Sequence, residues 1–280
     1  MSVLLFTLLV FTGSFGAGLL GALTGLGGGV VLVPLLTVVF HVDIRYAIGA
    51  SLISVIATSS GAAAAYVREG FSSIRIGMFL EMATTVGAIC GAFLATHMPT
   101  RALTIIFGLV LLYSAWLSWQ QSRHPESAGG AGSPWSDRLR LSGSYPTETG
   151  EELAYKVDRI AAGFATMFGA GTLSGLLGIG SGAVKVLAMD QAMKIPFKVS
   201  TTTSNFMIGV TAAASAGVYL SRGYIDPGLA MPVMLGVLAG SVVGTRVLMK
   251  AETKVLRIVF SLVIVVLGLE MIYKGVTGRI

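Results

Sequence analysis

Lys185 carries the most chemical content in this chain. It stands three positions after Gly182 in an apolar segment far from any polar loop. An ammonium at that depth is costly unless it meets a partner or water. Before it comes the run Gly180, Ser181, Gly182, and adjacent glycines break a helix. A returning half-helix would present unpaired N–H groups and a partial positive charge, so with Lys185 it would suit an anion. The competing reading is that Lys185 snorkels to the cytoplasmic face or pairs with a carboxylate such as Glu81. Glu81 sits about two turns inside another apolar segment, which makes it a candidate proton-coupling group or the partner of Lys185. Its alternative is a wet position near the cytoplasmic edge.

The elements that must place these residues occur twice. GALTGLGGGVVLVPLL at Gly21–Leu36 and GTLSGLLGIGSGAVKVLAM at Gly171–Met189 align through Gly27, Gly28, Gly29 and Gly180, Ser181, Gly182, an offset of 153 residues. Without a gap the offset pairs Ser51 with Ser204, Thr58 with Thr211, Tyr66 with Tyr219, Gly87 with Gly240 and Phe107 with Phe260. The chain is a tandem duplication, and the copies differ chemically: Lys185 matches Leu32, and Glu81 matches Met234.

Composition places both copies in a bilayer. Of 280 residues, 54% are hydrophobic and 11% charged, against about 25% charged in a soluble domain. The net charge of +6 comes from Lys and Arg clustered in short loops, a membrane-orientation pattern that argues against nucleic acid. Cys90 is the one cysteine and lies in an apolar run, so neither a disulfide framework nor a thiol metal site is expected. The apolar N-terminus lacks a basic lead and reads as retained.

Val3–Phe40 spans 38 apolar residues, too long for one crossing and short for two. The spacing predicts a helix, a break and a return segment over Val30–Phe40. Three spans follow, at about Ile44–Tyr66, Ile74–Thr96 and Ala102–Trp119. Gln120–Asp158 reads as a solvated linker. The second copy predicts a broken hairpin over Arg159–Asp190, then spans at about Lys198–Leu220, Pro227–Met249 and Val255–Tyr273. Residues 1–119 and 159–280 are thus two transmembrane repeats around the linker 120–158. With each broken block as a U-turn, thirteen Lys and Arg share one face against five; with single crossings they split ten to eight. The positive-inside rule prefers the U-turns, with both termini outside and the linker cytoplasmic. The fold class is then all-α and polytopic, with two inverted repeats, the build of secondary transporters.

Other polar residues are weighed against packing. Ser51, Ser54 and Thr58 recur at helical spacing, as do Ser204, Thr211 and Ser215 beside Asn205. Thr58 and Thr211 fall near mid-membrane, where Thr58, Thr211, Asn205 and Ser181 could donate hydrogen bonds to a small oxyanion. A small-residue packing face explains them equally well. His41, His97 and His124 lie in loops without metal spacing, so no metal, cofactor or catalytic residue is assigned. An intramembrane hydrolase would need a base beside Ser174 or Ser181, and only Lys185 offers one. Neither copy ends in the GK[ST] of a phosphate loop.

The doubled GLGGGVVLVPLL and SGLLGIGSG motifs, each followed by a polar-small span, resemble the TauE/SafE sulfite-exporter family of bacterial inner-membrane proteins. The likeness covers nearly the whole chain apart from the linker. It implies a non-enzymatic transporter in the inner membrane that moves sulfite, sulfonates or related organosulfur anions, usually outward. Lys185 departs from the pattern, because the family usually has an apolar run there, and no second Val-Pro pair matches Val33–Pro34. The leading expectation is a secondary exporter of a small sulfur-containing anion working by alternating access. Its anion is held by Gly27–Gly29, Gly180–Gly182 and Lys185, with Glu81 coupling. An anion channel or uptake permease of the same fold is the alternative. The expected partners are a small anion and the lipid bilayer, and a homo-oligomer is left open.

Overall fold

A computed structural model of the chain describes residues 2–24, 28–68, 73–120, 136, 141–146, 152–248 and 253–278. These form ten helices and a two-stranded sheet. Helix α1 (Val3–Thr24) leads to α2 (Gly29–Pro34), which widens into a π turn at Leu35–Val39. Then come α3 (Ile44–Arg68), α4 (Ile74–His97) and α5 (Thr100–Gln120). The second copy repeats the plan with α6 (Ile160–Leu177), α7 (Gly182–Leu187) with a π turn at Ala188–Ala192, α8 (Phe197–Ser221), α9 (Pro227–Leu248) and α10 (Thr253–Thr277). Four helices contain windows long and apolar enough to cross a membrane: Leu4–Gly21, Ile74–His97, Ile160–Leu177 and Pro227–Gly244. The architecture is all-α and polytopic, as the composition and the lengths of the apolar runs imply.

The predicted breaks fall where the glycines stand. In the second copy α6 ends at Gly178, whose positive φ of 67° suits glycine and whose N–H returns to the Ser174 carbonyl. Gly180 and Ser181 also take positive φ before α7 begins. In the first copy α2 restarts after Gly28, and residues 25–27, with Gly27 among them, lie outside the described residues.

Backbone groups freed by a break must be satisfied by protein or water, because lipid offers nothing. Here side chains of α3 and α8 do it. The Ser51 hydroxyl donates to the Gly178 carbonyl (2.8 Å), and Ser204 donates to the Gly182 carbonyl (3.3 Å). Tyr219, fully buried, donates to the carbonyls of Gly175 and Leu176 at 3.2 and 3.4 Å. These polar residues therefore hold the broken backbone in place.

The main packing partners come from opposite copies: α1 lies on α9, α4 on α6, α3 on α8 and α5 on α10. Exchanging the copies maps this pattern onto itself. Glycines set the closeness of the α4–α6 seam. Gly87 lies against the Phe168 carbonyl and Gly91 against that of Thr172, while Gly171 and Gly175 lie against the Thr84 and Ala88 carbonyls. Two GxxxG pairs thus interlock, and a Cβ at any of the four would collide with main chain. The α1–α9 seam repeats this with Gly236 and Gly240 against the carbonyls of Phe11 and Phe15.

The same contacts give helix directions. Along α4–α6 residue numbers rise together, so the helices are parallel. The equivalent helices α5 and α10 run oppositely, with Gly275 against Ile105, Gly108 against Ile272 and Gly268 against Leu112. Helices α3 and α8 also oppose each other, Ser59 meeting Gly209 while Gly49 meets Tyr224 just beyond α8.

The linker corrects the expectation of a solvated loop. Within it, β1 (Gly143–Pro146) pairs antiparallel with β2 (Glu152–Tyr155). Leu141, Tyr155 and Val157 are buried in a cluster with Ile76, Leu80, Ala83, Met193 and Met207. Burial pushes the Tyr155 phenol above its ordinary pKa, against a smaller opposing pull from its hydrogen bond with Ser73. Three apolar residues spread through a polar linker are too few to read as a core from composition, and here docking on α4 and α8 gives them one.

Candidate functional site

Three of the residues singled out from the sequence meet at the interface between the copies. Lys185 on α7 is 0% exposed. Its Nζ donates to Thr211 Oγ1 on α8 at 2.5 Å. Thr211 Oγ1 lies 2.7 Å from Glu81 Oε1 on α4, as donor to it. Thr85, one turn beyond Glu81, also donates to Oε1 at 3.2 Å. Lys185 and Glu81 are thus linked through a hydroxyl, and no direct ion pair joins them among the described residues.

Helix geometry explains the convergence. Lys185 is one turn into α7, so the break aims it away from the chain ends and towards α8. Glu81 and Thr85 are four apart and share a face of α4. The α4–α6 glycine seam holds that face close to the second copy. One flank of Glu81 is sealed by the cluster containing Leu80, Ala83, Met207 and the hairpin residue Tyr155.

The bonding leaves groups over. An ammonium has three N–H donors, and among the described residues Lys185 spends one, on Thr211. Glu81 Oε2 is buried without a hydrogen-bond partner. Buried polar atoms are normally paired, so spare donors and an unpartnered acceptor within one bonded group make it the candidate site. Buried unpartnered atoms also occur at Ser14, Ser174, Asp190 Oδ1 and Arg45 Nε, but among the described residues only Glu81 is joined through a shared hydroxyl to a buried ammonium.

The other candidates are placed differently. Thr58, the counterpart of Thr211, bonds back to the Ser54 and Val55 carbonyls of its own helix. The Ser181 hydroxyl donates to the Ala170 carbonyl at 2.6 Å. Asn205 is half-buried two turns before Thr211 and makes no hydrogen bond to the Lys185–Thr211–Glu81 group. Gly28 and Gly29 begin α2, Gly29 packing on Ser51 and the Gly178 carbonyl; Gly180 and Gly182 pack on Ile208. A small apolar pocket touches Ser181, Gly182 and Val184 together with Val30 and Val110. Lys185 is absent from its lining and turns to α8 and α4 instead. Glu81 is buried rather than wet at an edge, at 7% exposure. Thr85 went unnoticed from sequence, although a threonine four residues after an intramembrane Glu is a readable signal. Among the described residues no three His, Cys, Asp or Glu side chains are grouped to hold a metal.

Comparison with known proteins bears directly on these repeats. The family model described as sulfite exporter TauE/SafE matches residues 10–271, through both broken hairpins and the linker between them. The chain belongs to the TauE/SafE family. It is similar to the "Probable membrane transporter protein YunE" of Bacillus subtilis (strain 168), 28% identical, with 97% of this chain and 98% of that protein covered. The "Probable membrane transporter protein YdhB" of the same organism is 26% identical over 95% of this chain and all of its own length. The "Probable membrane transporter protein MJ0441" of Methanocaldococcus jannaschii is 26% identical over 96% of both. No solved structure matches the chain. A multi-pass membrane transporter of the TauE/SafE type therefore houses the Lys185–Thr211–Glu81 group.

Proposed function

We propose that this TauE/SafE protein is a secondary transporter of the inner membrane that exports a small sulfur-containing anion, such as sulfite or a sulfonate, by alternating access. Lys185, buried with donors to spare, is the observation that carries the reading. The anionic group sits against Lys185 and Thr211, between α7 and α8. The breaks at Gly28–Gly29 and Gly180–Gly182 let α2 and α7 end inside the protein. Thr58 and Asn205 line the route on the two matching helices. The copies are inverted in the bilayer, with both termini outside and the linker cytoplasmic. The opposed directions of α3 against α8 and of α5 against α10 support the inversion, because equivalent spans that run oppositely require an exchange axis lying in the membrane plane, and the Lys and Arg distribution supports the orientation.

Counterflow into proteoliposomes tests the reading. Vesicles loaded with unlabelled sulfite should accumulate labelled sulfite faster than empty ones, and Lys185→Ala should abolish the acceleration. Uptake without such trans-stimulation would indicate a channel. Equal rates in both proteins would remove Lys185 from the anion's path.

A further inference from the structure

We propose that Glu81 takes up one proton for each singly charged anion that Lys185 receives, Thr211 allowing both to bind in one closed site; this rests on the anion role proposed above for Lys185. Empty, the group holds one carboxylate and one ammonium and is neutral. An anion added alone would leave a net negative charge among buried groups, where an unpaired charge is expensive. An anion added with a proton leaves the site neutral.

The hydrogen-bond geometry provides places for both. The proton goes onto the lone pair of Glu81 Oε2, the buried carboxylate oxygen without a partner. The anion accepts hydrogen bonds from the Lys185 N–H groups that Thr211 leaves unused. No covalent bond to the anion forms or breaks, and the proton returns to water when the anion leaves. Because Thr211 separates Lys185 from Glu81, the anion has no direct ion pair to displace.

Thr211 also fits both protonation states. Its single hydroxyl hydrogen has two acceptors in reach, Glu81 Oε1 at 2.7 Å and the Met207 carbonyl at 2.8 Å. With Glu81 ionised the hydrogen points to Oε1. With Glu81 neutral, Oε1 is a weaker acceptor and the hydrogen turns to Met207. In either state Thr211 keeps a lone pair for Lys185.

Lys185 is the charge that faces Glu81. Helix α6 offers no titratable residue between Ile160 and Leu177; α3 has Arg45 and Tyr46 in its first turn, and Tyr66 and Arg68 near its end, their side chains outside the described set. Helix α8 has Lys198 in its first turn, its side chain outside the described set, and Tyr219 near its end. On α4, Arg75, Cys90 and His97 are exposed. Asp190 follows α7 in the π turn, and Tyr155 approaches from the hairpin.

The test uses methanesulfonate, whose own charge is constant from about pH 5 to about pH 9, with the purified full chain. Affinity is read from ligand-dependent melting, and proton uptake from a pH indicator in weak buffer. Wild-type affinity should fall about tenfold per pH unit once Glu81 is ionised, with about one proton taken up per anion bound. Glu81→Gln, a permanently neutral mimic, should bind with no pH dependence and no proton uptake. Binding that needs Lys185 yet shows no pH dependence and no proton uptake would overturn the coupling and leave the anion site standing. No binding to wild type at any pH, or equal binding by Lys185→Ala, would overturn both. Should Glu81→Gln fail to fold, proton uptake by wild type decides alone.

Discussion

The two broken hairpins have one backbone plan and two chemistries. In the first, Leu32 is a fully buried apolar residue in the core; at the same place in the second stands Lys185. Opposite them, Glu81 on α4 corresponds to the half-buried Met234 on α9. Thr58 bonds its own helix, whereas Thr211 joins Lys185 to Glu81. Duplication thus supplies the scaffold symmetrically, through paired seams, while the charged group is confined to one side. Charges buried in a bilayer protein are costly singly and tolerable together. That explains why Lys185 and Glu81 depart from the repeat at positions that meet.

Making the second copy resemble the first should break this arrangement most severely. Lys185→Leu alone leaves the Glu81 carboxylate uncompensated and should cost about 4 kcal/mol. Lys185→Leu with Glu81→Met, which installs both counterpart residues, should recover most of that stability in thermal melting while transport stays absent. A double variant no more stable than the single one would mean that the two charges do not compensate each other.

The threonines sharpen the contrast. Thr211→Val removes a hydroxyl bonded to two charged groups and should destabilise by about 2 to 3 kcal/mol. Thr58→Val should change stability by less than about 0.5 kcal/mol, since the lost bonds run to carbonyls already used by the helix. Similar costs at both sites in parallel melts would contradict the asymmetry.

The seams, by contrast, should behave alike in both copies. Gly91→Ala on α4 and Gly240→Ala on α9 each push a Cβ into main chain, and each should cost about 2 kcal/mol. The equivalent pair Gly16 and Gly169, with nothing within 4 Å, should accept alanine and gain up to about 1 kcal/mol of helix propensity. Below the seam costs, Tyr155→Phe removes the phenol's bond with Ser73 and should cost about 1 kcal/mol. It should also speed hydrogen exchange in the two strands.

Much of this could be read before any fold was known. The spans predicted from apolar runs start and end within a few residues of α3, α4, α5, α8, α9 and α10, because a membrane helix announces itself by length and hydropathy. The break was legible too, since clustered glycines weaken a helix wherever they stand. The hairpin in the linker was not: Leu141, Tyr155 and Val157 are too few to mark a core until the bundle offers one. Sequence also grouped Ser181 and Thr58 with Lys185, although Ser181 ties down α6 and Thr58 faces its own carbonyls.

The sequence by itself determined the duplication, the helical membrane architecture, the sites of the breaks and the rarity of Lys185 and Glu81, because each depends on composition or on spacing along one helix. The tertiary structure alone decided which polar residues meet. Glu81 and Lys185 are over a hundred residues apart, and their linkage through Thr211 depends on three helices brought together across the repeat interface. Periodicity within a helix states which face a residue occupies, and only packing between helices chooses what that face will touch.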